Sequence, residues 1–587
     1  MRKYRWILSN PDDEALIERL CAELNDLPSV LAHLLVQRGV RSFDEAQFFF
    51  RAKFEDLHDP MLMNGMHDAV ARIRQAIDEH EHVFVYGDYD VDGTTSTALL
   101  TGFLQSLGAS VNFFVPNRFE HGYGLSRQGI DVCAEAGAKL IVALDCGVTA
   151  IDEADYAKAL GIDLIICDHH TPHDQLPDAV AVLDPKRNDC TYPFTELCGC
   201  GVTFKLVQAL LSALGRDALD AVPYLDLVAL ATAADIVSVT GENRILLREG
   251  ILRLRTNPRV GIRCLAEETR TRLSDCSVTS IVFGLGPRIN AAGRLGDAGR
   301  AVSLLMTTDK VEAVARSRQL ERLNRERRVL DQKTLDEAVQ MAERLLLSSD
   351  RHTIVLYQPD WHMGVIGIVA SRLVDRFYRP TVMLTTANGN AKGSARSING
   401  INVFEAIHSC EDILTEYGGH DYAAGLSLPI ENIEAFSLRF EESVASQVSP
   451  TFPDPVLEVD AQLHFNSIDE RFWAVLKQFA PFGPDNAQPL FLTSNLNVSG
   501  EPKTVGRDNS HLKFAVRENG RPGVDREVIG FRMSDYLDLL IESKTTGSPI
   551  ELIYSLEENT WNGRTSIQLR AKDLRLSSPE EPLSPGE

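Results

Sequence analysis

No Cys-x-x-Cys pair occurs among the ten cysteines, and the chain has neither an internal repeat nor an apolar run near the ~20 residues that a membrane-spanning helix needs. Its longest apolar runs, such as Leu140 to Leu144 and Leu164 to Cys167, have the length of strands. The opening MRKYRWILSN lacks the apolar core of a signal peptide. Scattered cysteines without such a segment fit reduced thiols, so a cytoplasmic protein with no membrane partner is expected. Positive charge is also scarce: 59 Lys and Arg face 83 Asp and Glu, a net charge of -24. A surface of that sign disfavours nonspecific polyanion binding, and any nucleic-acid contact must come from a local basic groove.

At 587 residues the chain is too long for one core, and ~150 residues per domain suggests three or four domains. Between about residues 82 and 240, strand-length apolar runs (HVFVYG, VNFFVP, KLIVALDCG, LIICDHH, AVAVLDP) alternate with helical patterns, the βαβ rhythm of a mostly parallel sheet. From Thr308 to about Leu347 there is no Gly or Pro, which predicts one long helix of up to ~60 Å. A second α/β pattern follows and closes near Pro450. Beyond it, strand-length segments with turn signals, among them Asn562-Gly563, suggest a small β-barrel, and the polar, proline-containing end SSPEEPLSPGE is expected to be disordered.

The most informative stretch is YGDYDVDGTTS, in which Asp88, Asp90 and Asp92 occupy alternate positions. Ionised carboxylates repel by roughly 4 kcal/mol per pair at ~4 Å in a surface-like dielectric, so their clustering calls for a cation. An EF-hand loop would need a bidentate Glu at its twelfth position, where this chain has Leu99. A phosphate loop would need a Lys after Gly93, which is absent. A transition-metal or Mg²⁺ site at a strand end remains, and it predicts further ligands on neighbouring strand ends. Asp145 ends KLIVALDCG, Asp168, His169 and His170 end LIICDHH, and Asp235 lies in the apolar segment Leu225 to Ile236, where an unpaired carboxylate would cost several kcal/mol. One Asp after a strand is commonly a cap or turn residue. Several on one rim, with a tandem His-His, point to a dinuclear Mn²⁺ or Mg²⁺ site. Two such ions share a bridging water, lower its pKa and clamp a phosphoryl oxygen, which is the arrangement for phosphoester hydrolysis. Cys190, Cys198 and Cys200 lack zinc-ligand spacing and read as ordinary thiols.

YGDYDVDGTTS, LDCGVT, CDHH and ATAADIV together resemble the four successive motifs of the DHH phosphoesterase superfamily, in type, order and spacing across about 150 residues. The resemblance implies two ions, Mn²⁺ or Mg²⁺, held by Asp90, Asp92, Asp145, His169 and Asp235. It implies Asp88, Asp168 and His170 as catalytic neighbours orienting ligands, water or phosphate, with His170 left open between phosphate contact and proton donor. GLGPRINAAGRLG at 284 to 296 resembles a signature of the RecJ exonucleases, while GSARS and GGHDYAAG resemble motifs of the DHH-associated second domain. Arg288, Ser394, Arg396 and His420 thereby become candidate anchors for nucleotide phosphate, Arg396 by the planar fork of its guanidinium.

WNGRTSIQLRAKD is similar to part of an oligonucleotide-binding barrel, with Lys503, Arg507, Lys513, Phe514, Trp561 and Arg564 as candidates, Phe514 reading better as core. The arginines from Arg316 to Arg328 alternate with Glu312, Glu321 and Glu326 and read as a solvated, ion-paired face. The expected organisation is therefore a cap region (1–50), a parallel-sheet DHH catalytic domain (51–300), a connecting helix (301–350), a second, substrate-binding α/β domain (351–450), an OB-like β-barrel (451–575) and a tail (576–587). The family resemblance implies a single-stranded-DNA-specific 5′-to-3′ exonuclease of recombination and repair, releasing 5′-mononucleotides and working with single-strand-binding protein and a helicase. The alternatives are a hydrolase of short oligonucleotides or nucleotide phosphates and a noncatalytic replication scaffold. Retention of every motif acid and both histidines argues against the scaffold.

Overall fold

The computed structural model describes residues 4–10, 13–119, 121–122, 124–348, 350–448, 452–520, 525–561, 564–577 and 584–585. It divides into two compact units, one of residues 53–453 and one combining residues 1–52 with 454–587.

The larger unit begins with a five-stranded parallel sheet in the spatial order Val111–Phe114, Val83–Tyr86, Leu140–Leu144, Asp163–Cys167, Ala181–Leu183. Its central strands are buried on both faces, which explains why they read as unbroken apolar runs rather than as alternating ones. Strand alternation divides the core between the two faces. Val83, Val85, Leu140, Val142 and Ile165 point into one cluster, and Phe84, Tyr86, Ile141, Ala143 and Ile166 into the other. The chain leaves Val83–Tyr86 for the edge strand on one side and then crosses back to Leu140–Leu144 on the other. Strand order thus reverses between those two strands, and in open α/β sheets that crevice receives ligands.

Helices Val91–Ser106, Gly199–Ala213 and Leu225–Ala234 pack on the first face. Gly199–Ala213 is held by Lys205, fully buried with its Nζ 2.6 Å from Glu242 Oε1 and 2.9 Å from the His58 carbonyl. Tyr192 Oη donates to the other Glu242 oxygen at 2.6 Å. Breaking a pair of this kind typically costs about 3–5 kcal/mol.

The long helix runs over Lys310–Ser348, close to the expected span. Its buried residues, among them Ala313, Ser317, Leu320, Asn324, Asp331, Ala338 and Ala342, fall three, four or seven positions apart and so share one face, and its exposed face carries Arg318, Arg322 and Arg325. Arg325 pairs with Glu321 at 2.9 Å and Arg316 with Glu312 at 2.6 Å, the ion-paired surface expected from the charge pattern. The second sheet follows, ordered Glu416–His420, Ala423–Leu428, Asn390–Arg396, Thr381–Ala387, Ile354–Tyr357; only the last pair is parallel. Trp361 Nε1 donates to Glu337 of the long helix at 2.9 Å, tying this sheet to it.

In the other unit, five strands form a ring in which Phe491–Val505 pairs with both His511–Glu518 and Ile550–Trp561, the closed pattern of an OB-like barrel, and the short strand Ala461–Gln462 adds to Phe491–Val505 from outside it. Arg5–Leu8 pairs in parallel with Val456–Val459, and the helices Glu14–Glu23 and Ser29–Gln37 bury Leu20, Leu31 and Leu34 in the barrel's own core, so the N-terminal segment belongs to this unit. Phe514 is a core residue, whereas Lys503 and Arg507 are exposed and Lys513 lies 3.3 Å from Glu527. The Asn562-Gly563 turn, the side chains of Trp561 and Arg564, and most of the 576–587 tail lie outside the described residues.

Candidate active site

Each acidic residue of the site is set by a strand end or a helix end. Asp90 caps Val91–Ser106, its Oδ1 accepting from the Gly93 amide at 3.0 Å. Asp92, in the first turn of the same helix, accepts from the Gly199 and Cys200 amides at 2.6 and 2.7 Å, so the N-terminus of a second helix holds both its oxygens. Asp145 follows its strand with φ at 61°, a conformation rare for a residue other than glycine. Asp168 accepts from the amides of Val148 (2.9 Å), His169 (2.8 Å) and His170 (3.2 Å) and faces His170 Nδ1 at 2.7 Å. Asp235 is the C-cap of Leu225–Ala234 rather than a residue inside an apolar element; its side chain keeps 27% exposure and Ile236 beyond it stands in solvent.

These placements converge. His169 Nε2 lies 3.1 Å from Asp145 Oδ1, 3.6 Å from Asp235 Oδ2 and 3.7 Å from Asp92 Oδ2. Ligand atoms of Asp92, His169 and Asp235 fall within 4.8 Å of one another, as do those of Asp88, Asp90 and Asp145 and those of Asp145, His169 and His170. Asp88 thus stands inside a potential ligand group, while Asp168 spends its oxygens on backbone amides and His170. Among the described residues no such group includes a cysteine; Cys198 caps Gly199–Ala213 instead.

Burial, followed by the neighbouring carboxylates, pushes Asp88, Asp92 and Asp145 well above the usual carboxylate range. Burial likewise lowers His169 to about 4, leaving the neutral imidazole that a metal requires. Asp168 behaves oppositely: against its burial, the His170 hydrogen bond and charge hold it at about 2, and His170 rises to about 9 despite its own burial. Asp88 Oδ1, Asp145 Oδ1, Asp235 Oδ2 and His169 Nδ1 are buried without a hydrogen-bonding partner. Buried polar atoms are ordinarily satisfied, so this concentration on one rim fits divalent cations.

Beside Asp88 and Asp90 opens a cleft of about 730 Å³, lined also by Arg118, Asn290, Arg294, Ser394, Arg396 and His420. Arg396 Nη1 donates to Ser394 Oγ at 2.7 Å, and a Cβ on Gly367 would come within 3.0–3.1 Å of Ser394 Oγ and Arg396 Nη2, so glycine there keeps room for both. Arg118 lies over the Tyr89 ring at 4.7 Å and donates to its hydroxyl at 3.1 Å. Burial lowers Arg294 to about 10 and also lowers Arg396, and the charge of Arg118 adds to both. Guanidiniums gathered against their mutual repulsion, beside serine and glycine, have the chemistry suited to an anion.

Three of the four expected anchors, Ser394, Arg396 and His420, line this cleft. Arg288 does not: its Nε bonds Glu321 at 2.9 Å, and its Nη1 donates to the Phe283 and Gly284 carbonyls at 3.3 and 2.9 Å. Arg294, six residues on in the same motif, lines it instead. Arg118, Arg294 and the Gly199 and Cys200 amides escaped sequence reasoning. GRLG stood within a quoted motif, but nothing in NRFEHG or LCGCG distinguishes an anion contact from an ordinary turn.

The chain matches the models of the DHH family, N-terminal domain over residues 82–232, the DHHA1 domain over 350–446 and the RecJ OB domain over 459–573. It is 39% identical over 577 residues to the single-stranded-DNA-specific exonuclease RecJ of Bacillus subtilis, covering 98% of this chain and 71% of that protein. The chain belongs to the RecJ exonuclease family. RecJ of Escherichia coli is 35% identical over 564 residues, covering 93% of this chain and 95% of its own length. The crystal structure of RecJ from Thermus thermophilus in complex with Mn²⁺ superposes with a TM-score of 0.81 at 31% identity, covering 98% of this chain and 80% of that one. A second RecJ structure, bound to manganese, matches at 36% identity with a TM-score of 0.58 over 67% of this chain and 96% of the other. Among the described residues of this RecJ family member, no helix is long and apolar enough to cross a membrane.

Proposed function

We propose that the chain is a metal-dependent exonuclease that removes 5′-mononucleotides from single-stranded DNA in the 5′-to-3′ direction. The observation that carries this reading is the adjacency of a carboxylate and histidine rim with orphaned buried ligand atoms to an arginine-lined cleft in the same unit. Asp90, Asp92, Asp145, His169 and Asp235, with Asp88 beside them, would hold two Mn²⁺ or Mg²⁺ ions. Such a pair, when bound, lowers the pKa of water and stabilises charge on phosphoryl oxygens.

The remaining steps belong to the chain's own side chains. Arg396, Arg294 and Arg118, with Ser394, receive the 5′-terminal phosphate, and His420 stands on the same wall. Asp88 and Asp90 line both this cleft and the metal rim, so the anchored nucleotide places its 3′ phosphodiester at the carboxylates. Asp168 fixes His170 through Nδ1, and the imidazolium so maintained offers a proton or a hydrogen bond to the departing oxygen.

The sequence-derived division at 51–300, 301–350, 351–450 and 451–575 is part of this proposal, with the OB-like barrel as a second holding site for single-stranded DNA. So are a cytoplasmic setting and work alongside single-strand-binding protein and a DNA helicase. The test is a Mn²⁺-dependent time course on a long single strand labelled at its 5′ end, beside a duplex of the same sequence. Immediate release of labelled mononucleotide from the single strand alone is expected. Hydrolysis confined to di- to pentanucleotides would refute the reading in favour of an oligonucleotide scavenger.

A further inference from the structure

The cleft that holds the guanidinium cluster continues past it along the second sheet. Side chains of one strand alternate between faces, and residues directly paired across strands share a face. On Asn390–Arg396, Lys392, Ser394 and Arg396 therefore point the same way, and all three line the cleft. The register sets out three rungs on that face. Arg396 pairs with Ala423, which pairs with His420; Ser394 pairs with Gly425, which pairs with Gly418; Lys392 pairs with Ser427, which pairs with Glu416. Successive rungs stand about 6.8 Å apart.

The middle rung is bare. Gly418 and Gly425 are exposed strand residues, and neither has a positive φ. A Cβ on Gly418 would meet nothing within 4 Å, and one on Gly425 only the Gly393 carbonyl at 3.9 Å. Packing and backbone conformation thus account for neither glycine. They do account for Gly393, whose Cβ would strike Leu384 at 2.5 Å, and for Gly419, whose φ is 147°. Glycine inside a strand otherwise marks the close approach of a ligand.

The result is an open lane between two cationic groups. At one end the Arg396 guanidinium bends onto Ser394 Oγ at 2.7 Å; at the other stands the Lys392 ammonium. Lys392 Nζ lies 3.9 Å from Glu416, whose side chain is 74% exposed, and exposed pairs of this kind contribute little, so the ammonium stays available. The Arg118 charge acts on both Asp88 and Arg396, which puts Lys392 at the end of the row away from the carboxylates.

We infer that this lane receives the outer phosphates of a polyphosphorylated 5′ end, so that the substrates include single strands beginning with a 5′ di- or triphosphate, and that Lys392 neutralises the added charge. This rests on the nuclease reading, which puts the 5′-terminal phosphate at Arg396 and Ser394. In the reaction the hydroxyl of water joins the phosphorus of the second nucleotide, the bond from that phosphorus to O3′ of the first breaks, and O3′ takes the proton. The products are a nucleoside 5′-triphosphate and a strand one residue shorter with a 5′ monophosphate; the polyphosphate itself stays whole.

The test compares wild-type protein, Lys392→Ala, Lys392→Arg and Gly418→Val, each with a melting curve, on one long single strand of DNA carrying either a 5′ monophosphate or a 5′ triphosphate, in Mn²⁺. Wild-type kcat/KM for the triphosphate should lie within about tenfold of that for the monophosphate, with nucleoside triphosphate as the first product. Lys392→Ala should lower the triphosphate-to-monophosphate ratio of kcat/KM about tenfold, chiefly through KM. Gly418→Val, by filling the lane, should lower the same ratio, and Lys392→Arg should hold it near the wild-type value. Refusal of the triphosphate by protein that degrades the monophosphate, or a ratio unchanged in Lys392→Ala, would overturn the inference and leave the nuclease reading intact. Failure of wild-type protein to degrade the monophosphorylated strand would remove both.

Discussion

Gly199 offers a stringent test of how the carboxylate cluster is built. Its amide donates to Asp92 at 2.6 Å, and a Cβ added there would sit 2.8 Å from both Cβ and Oδ1 of Asp145. Carbon atoms pack best at ~3.5–4.0 Å, so alanine forces the helix start and Asp145 apart by roughly 0.7–1 Å. Asp145 is buried and already in the left-handed region, and it has little freedom to yield. A misplacement of that size typically costs ~10²-fold in rate. Loss of one charge-assisted hydrogen bond, about 1.5–3 kcal/mol, falls in the same range. Gly199→Ala should therefore lower kcat on single-stranded DNA about 10²-fold and raise the Mn²⁺ concentration giving half-maximal activity. Overpacking at a buried site costs about 1–3 kcal/mol of stability as well, so the melting curve must show the variant folded at the assay temperature. Gly201→Ala is the control, because its nearest contact, at 3.3 Å, is the movable Leu197 Cδ2. The assay is Mn²⁺-dependent turnover beside a melting curve for each variant. Gly199→Ala activity within about twofold of wild type, below ~0.5 kcal/mol of barrier, would refute the packing argument.

Asp235→Ala should cut turnover by orders of magnitude with an unchanged melting curve, since the residue caps a helix end and its side chain is partly exposed; normal turnover would withdraw it from the site. Arg396→Ala should raise KM for a 5′-phosphorylated strand, whereas Arg288→Ala should leave the preference for a 5′ phosphate in place and lower thermal stability by removing its bonds to Glu321 and to the Phe283 and Gly284 carbonyls. Kinetics with phosphorylated and unphosphorylated 5′ ends separate the two. Glu441 binds the His352 and Thr353 amides at 2.7 and 2.9 Å, and against its burial the Thr353 hydroxyl and these amides depress its pKa. A depressed carboxylate stabilises the fold above its unfolded pKa of about 4.3, and that contribution is lost as pH falls through the lower folded value. Glu441→Gln should thus cost about 1–3 kcal/mol at pH 7, with the gap closing on acidification; a gap independent of pH would contradict the assignment.

Much of the site was legible because its chemistry is concentrated at strand ends. A parallel βαβ pattern delivers the residues after each strand to one rim, so the acids from Asp88 to Asp92 could be grouped with Asp145, Asp168, His169 and His170 from their strand ends, while the choice of ligands among them came from the family resemblance. The long helix was equally open to reading, since the absence of Gly and Pro over forty residues has one simple consequence for the backbone.

What the sequence determined by itself was the set of metal-compatible side chains and the order of the elements that carry them. Tertiary structure decided the rest, because the remaining contacts join residues with no local signal. The Gly199 and Cys200 amides reach Asp92 across more than a hundred residues, and no side-chain pattern announces a backbone donor. The choice between Arg288 and Arg294 depended on which one the long helix neutralised: Glu321 takes Arg288, and Arg294 is left to face the cleft with Arg118 and Arg396.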